Sequence, residues 1–147
     1  MVNMSKISDL ALLLLLFNYS REILGRKRLQ KIVCLLKYKY NIPFSFSFRK
    51  YFYGPYSSEL QYAVDTLKAA GLITEEAKTI PLEGNIIYTY ELTEEGKAFV
   101  SRIENKLGES DLKKQLESAL KDLLNKPTEE LVLLAKQVTP AYQETTN

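Results

Sequence analysis

The chain has 147 residues, within the ~100–200 usual for one domain, and 46% of them are apolar, enough for a sizeable core and too many for a disordered chain. It holds no histidine and one cysteine, which excludes histidine-dependent triads, His/Cys zinc sites and an internal disulfide, and Cys34 fits a reducing, cytoplasmic compartment. The net charge of +2 is uneven: residues 1–78 carry twelve Lys/Arg against six Asp/Glu, an excess of six, and the rest of the chain is acidic. A basic first half points to a polyanionic partner, or else to a solvated surface with uneven charge.

Leu10 to Phe17 is an unbroken apolar run of eight, far short of the ~20 residues that cross a bilayer. Only Lys6 precedes it and no small-residue cleavage site follows, so it reads as a buried helix and no membrane contact is expected. Ser5 or Ser8 can cap this helix, the helical spacing continues to Ile23 and Leu24, and Gly25 ends it. A second helix from about Lys27 to Tyr40 places Leu29, Ile32, Val33, Leu36 and Tyr40 on one face.

After Pro43, Phe44, Phe46 and Phe48 alternate with Ser45 and Ser47 and lead into Arg49–Tyr53, the period and composition of a short strand. Gly54-Pro55-Tyr56-Ser57 reads as a turn entering a helix cap. A third helix then spans about Ser58 to Ala70, with Leu60, Ala63, Val64 and Leu67 inward and Gly71 at its end. A hairpin follows: Leu72–Lys78 is one arm, Pro81–Asn85 the tip and Ile86–Leu92 the return. Three more helices are predicted, at about Glu94–Lys106, Asp111–Asn125 after Ser110, and Glu129–Val138 after Thr128.

This order is that of a mainly α (α+β) winged helix-turn-helix with a β-hairpin wing and additional C-terminal helices. It divides the chain into a winged-helix domain at 1–106, a helical pair at 107–138 that packs or dimerises, and a flexible tail at 139–147. Three stretches carry a more specific likeness: Gly25-Arg26-Lys27-Arg28-Leu29-Gln30-Lys31, Tyr51-Phe52-Tyr53-Gly54-Pro55-Tyr56-Ser57-Ser58-Glu59-Leu60, and Leu67-Lys68-Ala69-Ala70-Gly71-Leu72-Ile73. In these the chain resembles YwgA-like bacterial and archaeal proteins. The Leu-Gln-Lys and Tyr-Gly-Pro pieces are more distantly similar to the Panacea antitoxin domain. That second resemblance implies an antitoxin or partner-binding role, and the fold implies DNA binding by analogy.

The candidate site is a nucleic-acid surface. Arg26, Lys27, Arg28 and Lys31 open the second helix, where cations sit poorly against the helix dipole unless an anion faces them. They contact phosphates, or they pair with acids elsewhere in the fold. The third helix would enter the major groove, presenting Ser58, Gln61, Tyr62 and Lys68 beside the unfavourable Glu59 and Asp65; otherwise that face meets solvent or a protein. Lys78 and Asn85 are the candidate contacts of the wing. The tyrosines among these cations, Tyr38, Tyr40, Tyr51, Tyr53 and Tyr56, suit stacking on single-stranded bases or a half-buried core position.

No catalytic residue, metal site or cofactor is expected, because the paired acids Glu75-Glu76 and Glu94-Glu95 do not face each other and Cys34 lies in an apolar run. Leu112, Leu116, Ala119 and Leu123, with Leu131, Leu134, Ala135 and Val138, form two seams that pair with a second copy through 110–138 or fold back on the domain. Two functions follow. One is a duplex-DNA-binding transcriptional regulator; the alternative is an antitoxin-like module that binds a toxin-like protein through the surface from Tyr53 to Tyr62 and does not read DNA sequence.

Overall fold

The structure is a computed structural model that describes residues 7–20, 23–79, 84 and 86–143. It is mainly helical with two small antiparallel sheets, so the α+β class holds. Helix α1 spans Asp9–Ser20, and the Ser8 hydroxyl accepts the Ala11 amide at 3.1 Å. All six residues from Leu12 to Phe17 are buried, because neighbouring elements cover every face of this helix. Among the described residues no helix is long and apolar enough to cross a membrane.

The helix does not continue to Leu24 as its spacing predicts. Ile23–Leu24 instead forms a short strand, β1, which becomes the third strand of a sheet by pairing with Tyr90 and Thr89. Gly25 therefore opens the next helix rather than closing the first; its φ of +99° is a conformation a side chain would strain. Helix α2 covers Arg26–Tyr38, with every residue from Leu29 to Leu36 buried.

Phe44, Phe46 and Phe48 are buried and Ser45 and Ser47 exposed, but this alternation does not belong to a strand. Side chains hold the extended segment in place of a ladder: Asp9 accepts from both Ser45 groups, Glu59 accepts the Ser47 amide at 2.7 Å, and Lys37 donates to the Phe46 carbonyl. The strands begin later, as β2 at Arg49–Tyr51 and β3 at Gly54–Tyr56, paired from Arg49↔Tyr56 to Tyr51↔Gly54. The turn is thus Phe52-Tyr53, and Gly54-Pro55-Tyr56, expected as a turn, is a strand.

Helix α3, Ser58–Ala69, starts where the Ser57 hydroxyl accepts the Leu60 amide at 3.1 Å, and buries Leu60, Ala63, Val64 and Leu67 as its spacing predicts. Strands β4 (Ile73–Thr79) and β5 (Ile86–Leu92) form the expected hairpin, in register from Ile73↔Leu92 to Thr79↔Ile86. Helices α4 (Glu94–Leu107), α5 (Asp111–Leu123) and α6 (Thr128–Val138) follow; Thr93 and Ser110 cap the first two, while Pro127 takes the position before α6 that Thr128 was expected to hold.

The leucine seams of α5 and α6 pack within the chain. Leu116, Ala119, Leu120, Leu123, Leu131 and Ala135 are buried in the same core as α1 and α2, with α6 against α2 and β3. The start of the segment expected as a loose tail is also tied down. Thr139 is buried with its hydroxyl donating to Ala135, Pro140–Tyr142 makes a 3-10 turn, and the Tyr142 hydroxyl bonds the backbone of Tyr51.

Candidate functional site

The motif pieces at residues 29–31 and 53–57 meet in space. Gln30 projects from α2 and its carboxamide accepts the Ser57 amide at 2.8 Å while donating to the Ser57 carbonyl at 2.9 Å. One residue on, the Lys31 ammonium donates to the Pro55 carbonyl at 2.7 Å. The Lys31 stem runs beside Gly54, whose φ is +101° and where a Cβ would lie 3.1 Å from Lys31 Cε and 3.3 Å from Val132 Cγ1. Glycine is required there by backbone conformation and by the approach of the lysine and α6.

This clamp holds the β2–β3 hairpin over the start of α2, and a groove of about 700 Å³ lies between hairpin, α2 and α3. Arg26, Lys27 and Lys31 supply its cations, and Tyr51, Phe52, Tyr53 and Tyr56 its aromatic walls. Gln61 and Asp65 border it from α3. The aromatic side chains at its mouth stand in solvent: Phe52 is 88% exposed, Tyr53 67% and Tyr51 55%, and Tyr62, beside Gln61 on α3, is 76% exposed. Large apolar groups clustered in this way mark interaction surfaces more than they mark a resting exterior.

Of the sequence candidates, Arg26, Lys27, Lys31 and Gln61 come together at the groove. Most of the expected phosphate-binding cluster is engaged elsewhere. The Arg26 guanidinium holds Glu75 at 2.8 and 3.2 Å and lies 4.0 Å over the Tyr88 ring, and Lys68 reaches the same carboxylate at 2.6 Å. The Glu75 side chain is 2% exposed; burial alone would raise its carboxyl, but the hydrogen bonds from Arg26 and Lys68 outweigh this and bring it to about 2.

Arg28 turns to the C-terminal end of α5, donating to the Leu124 carbonyl at 3.0 Å and to Thr128 at 3.3 Å. Burial lowers its pKa, and its role is to tie α2 to the α5–α6 junction. Lys31 is only 3% exposed and forms the groove floor, so it is not a surface phosphate contact. Lys27 is exposed, its ammonium 5.3 Å over the Tyr53 ring.

On α3, Ser58 and Tyr62 face solvent, and Gln61 donates to Asp65 at 3.1 Å, which occupies the amide proposed to read a base. Lys78 is exposed on β4, and Asn85 lies outside the described residues. Gln30 and the exposed tip residue Phe52 escaped the sequence reading. The signal for Gln30 was its place in the Leu-Gln-Lys motif, and that for Phe52 was the Tyr-Phe-Tyr-Gly-Pro run, where a glycine after three aromatics places the turn among the aromatics.

Cys34 is buried; its thiol, pushed up to about 11 chiefly by burial, lies 3.0 Å from the Thr139 hydroxyl. Because that hydroxyl donates to Ala135, the thiol is the donor between the two. Among the described residues no group of three or more carboxylates or thiols is placed to hold a metal ion.

No family model matches the chain, and no solved structure matches it. The chain is 37% identical over 108 residues to uncharacterized protein YwgA of Bacillus subtilis (strain 168). The match covers 74% of this chain and 62% of that protein, so the chain spans less than two thirds of its relative's length. This likeness fits the YwgA-like family that the Leu-Gln-Lys and Tyr-Gly-Pro-Tyr-Ser motifs resemble.

Proposed function

We propose that the chain is a protein-interaction module, antitoxin-like in character, built on a winged-helix type of core with β4–β5 as its wing. The carrying observation is the exposed aromatic cluster of Tyr51, Phe52, Tyr53 and Tyr62 beside the groove. Burying one such side chain at a contact is worth about 1.5–3 kcal/mol, so a few of them suffice for a specific partner. The cations speak less for DNA than their number suggests, since Arg26 and Lys68 share Glu75, Arg28 serves α5, and Lys31 lies on the groove floor.

Duplex DNA is the second reading, favoured by the exposed cations Lys27 on α2, Arg49 and Lys50 on β2 and Lys78 on β4. One paired experiment separates the two. The native chain and a Phe52→Ser/Tyr53→Ser variant are each used to capture proteins from the native host, and each is titrated with labelled duplex at two salt concentrations. The interaction reading predicts a protein retained by the native chain and lost by the variant, with no duplex binding at low salt. Salt-dependent duplex binding that is equal in both proteins, with no captured protein, would overturn it.

A further inference from the structure

The floor of the groove carries positive charge without a counter-charge. The Lys31 ammonium has one hydrogen-bond acceptor, the neutral Pro55 carbonyl. Among the described residues no carboxylate comes within ion-pair distance of Lys31 or Lys27. Glu75 is paired with Arg26 and Lys68. Asp65, at the α3 edge of the groove, is held only by the neutral Gln61 amide and keeps its negative charge, so Lys27 and Lys31 against Asp65 leave the lining with a net positive charge. Burial, with smaller contributions from Lys27 and Lys136, pulls the Lys31 ammonium down to about 8, the physical expression of a cation held away from both water and an anion.

Above this floor the walls are flat and aromatic. Tyr51 and Tyr56 meet edge to face at 5.2 Å, and Phe52 and Tyr53 do so at 5.0 Å. The volume of about 700 Å³ lies within the range that holds one small molecule, and far above what a single inorganic ion needs. A cationic ligand would be repelled by Lys27 and Lys31, and a neutral one would leave them unmatched. A bare inorganic anion would answer the charge but leave the aromatic walls uncovered.

We propose that the groove is a binding site for a small planar aromatic anion, a ring bearing a carboxylate or phosphate, with Lys27 and Lys31 as counter-charges and the hairpin tyrosines against the ring. Anion and ring are recognised by different parts of the site, so each alone binds weakly and their combination binds well. The site adds the groove floor of Lys27 and Lys31 to the exposed aromatic surface, whose Tyr51 and Tyr53 it shares, and so goes beyond the partner reading. A free aromatic acid and a nucleoside monophosphate share this chemistry.

The test is calorimetric titration, with thermal shift in parallel, using benzoate, AMP, cyclohexanecarboxylate, benzyl alcohol and inorganic phosphate. At least one of benzoate and AMP is expected to bind saturably, and which of them binds more tightly identifies the source of the anion. The three probes lacking either ring or charge should bind about tenfold more weakly or not at all. Lys27→Ala, an exposed position that leaves the core intact, should weaken the aromatic anion about tenfold, and Lys31→Met should do the same wherever it folds. Absence of saturable binding by both aromatic anions would overturn the proposal. So would cyclohexanecarboxylate or phosphate binding as tightly as they do, or affinity unchanged in Lys27→Ala.

Discussion

The Gln30 side chain pairs with the Ser57 backbone as a neighbouring strand would, accepting its N–H at 2.8 Å and donating to its C=O at 2.9 Å. Both residues are buried, so neither group can turn to water if the other is removed. Gln30→Ala is predicted to cost about 1–3 kcal/mol, since it strands the buried Ser57 N–H and leaves the Ser57 C=O with only the longer bond from the Gln61 amide, at 3.3 Å. Gln30→Glu is predicted to be similarly harmful, because a carboxylate accepts the amide but cannot donate to the carbonyl. Urea melts of the three proteins check this; a Gln30→Ala midpoint equal to the native one would refute it.

Glu75 predicts an acid-sensitive contribution. Its folded pKa of about 2 lies below the ordinary 4.5, so the stability it supplies is complete above about pH 4.5 and is lost as pH falls toward 2. Glu75→Gln should cost about 1–2 kcal/mol at neutral pH, a figure kept low because Arg26 is half exposed. The gap between native and variant should then close on acidification, as read from melts between pH 2 and 6. A gap that does not change with pH would show that the ion pair contributes nothing.

Lys31 has the opposite sense. Its folded pKa of about 8 is below the ordinary 10.5, so between these values the unfolded chain binds more protons and stability from this group rises with pH. The difference between the native chain and Lys31→Met should therefore grow in favour of the native chain from about pH 8 to 10.5. The groups facing Lys31, namely Arg26, Lys27, Cys34, Tyr53, Tyr56, Asp65 and Lys136, are present in both proteins, so their own titration largely cancels. Paired denaturant melts across this range make the measurement, and a constant difference would refute it.

Gly96 predicts a reversal of helix propensity. It lies in the first turn of α4, where alanine is ordinarily the better residue by about 1 kcal/mol. Here a Cβ would sit 2.1 Å from the Leu72 carbonyl oxygen, which is backbone and cannot swing aside. Gly96→Ala is therefore expected to destabilise by about 1–3 kcal/mol, and a raised Tm would contradict the packing argument.

Gly54→Val should lower Tm through both its φ of +101° and its closeness to Lys31 and Val132, whereas Tyr56→Phe should leave Tm nearly unchanged. Tyr56 makes its wall contact with its ring, edge to face with Tyr51. Loss of ligand or partner binding in a normally folded Tyr56→Phe protein would assign a role to the hydroxyl instead.

What was legible in the sequence is what short-range chemistry determines. Ser57, Thr93 and Ser110 cap the helices that their positions predict, and the hairpin of β4 and β5 pairs as alternation and turn residues suggest. The misread elements depend on distant partners. Ile23–Leu24 becomes a strand only because Thr89 and Tyr90 lie alongside, and Phe44 to Phe48 alternates in burial without a ladder because Asp9 and Glu59 satisfy its backbone. The basic cluster was legible as charge, and Lys27 and Lys31 do reach the groove, but the pairing of its two arginines was not legible. Nothing near Arg26 or Arg28 in sequence reveals that Glu75 and Leu124 wait for them.

The contact of α6 and its following turn with β3 and β2 has a consequence for the order of events during synthesis. Val132 stands against Gly54 at the back of the hairpin, and Tyr142 braces Tyr51 from a position made about ninety residues later. Domains assemble as their parts leave the ribosome, and the hairpin emerges well before its brace. Until residues 128–142 are out, the hairpin lacks that support, so the nascent chain carries the groove without its back wall.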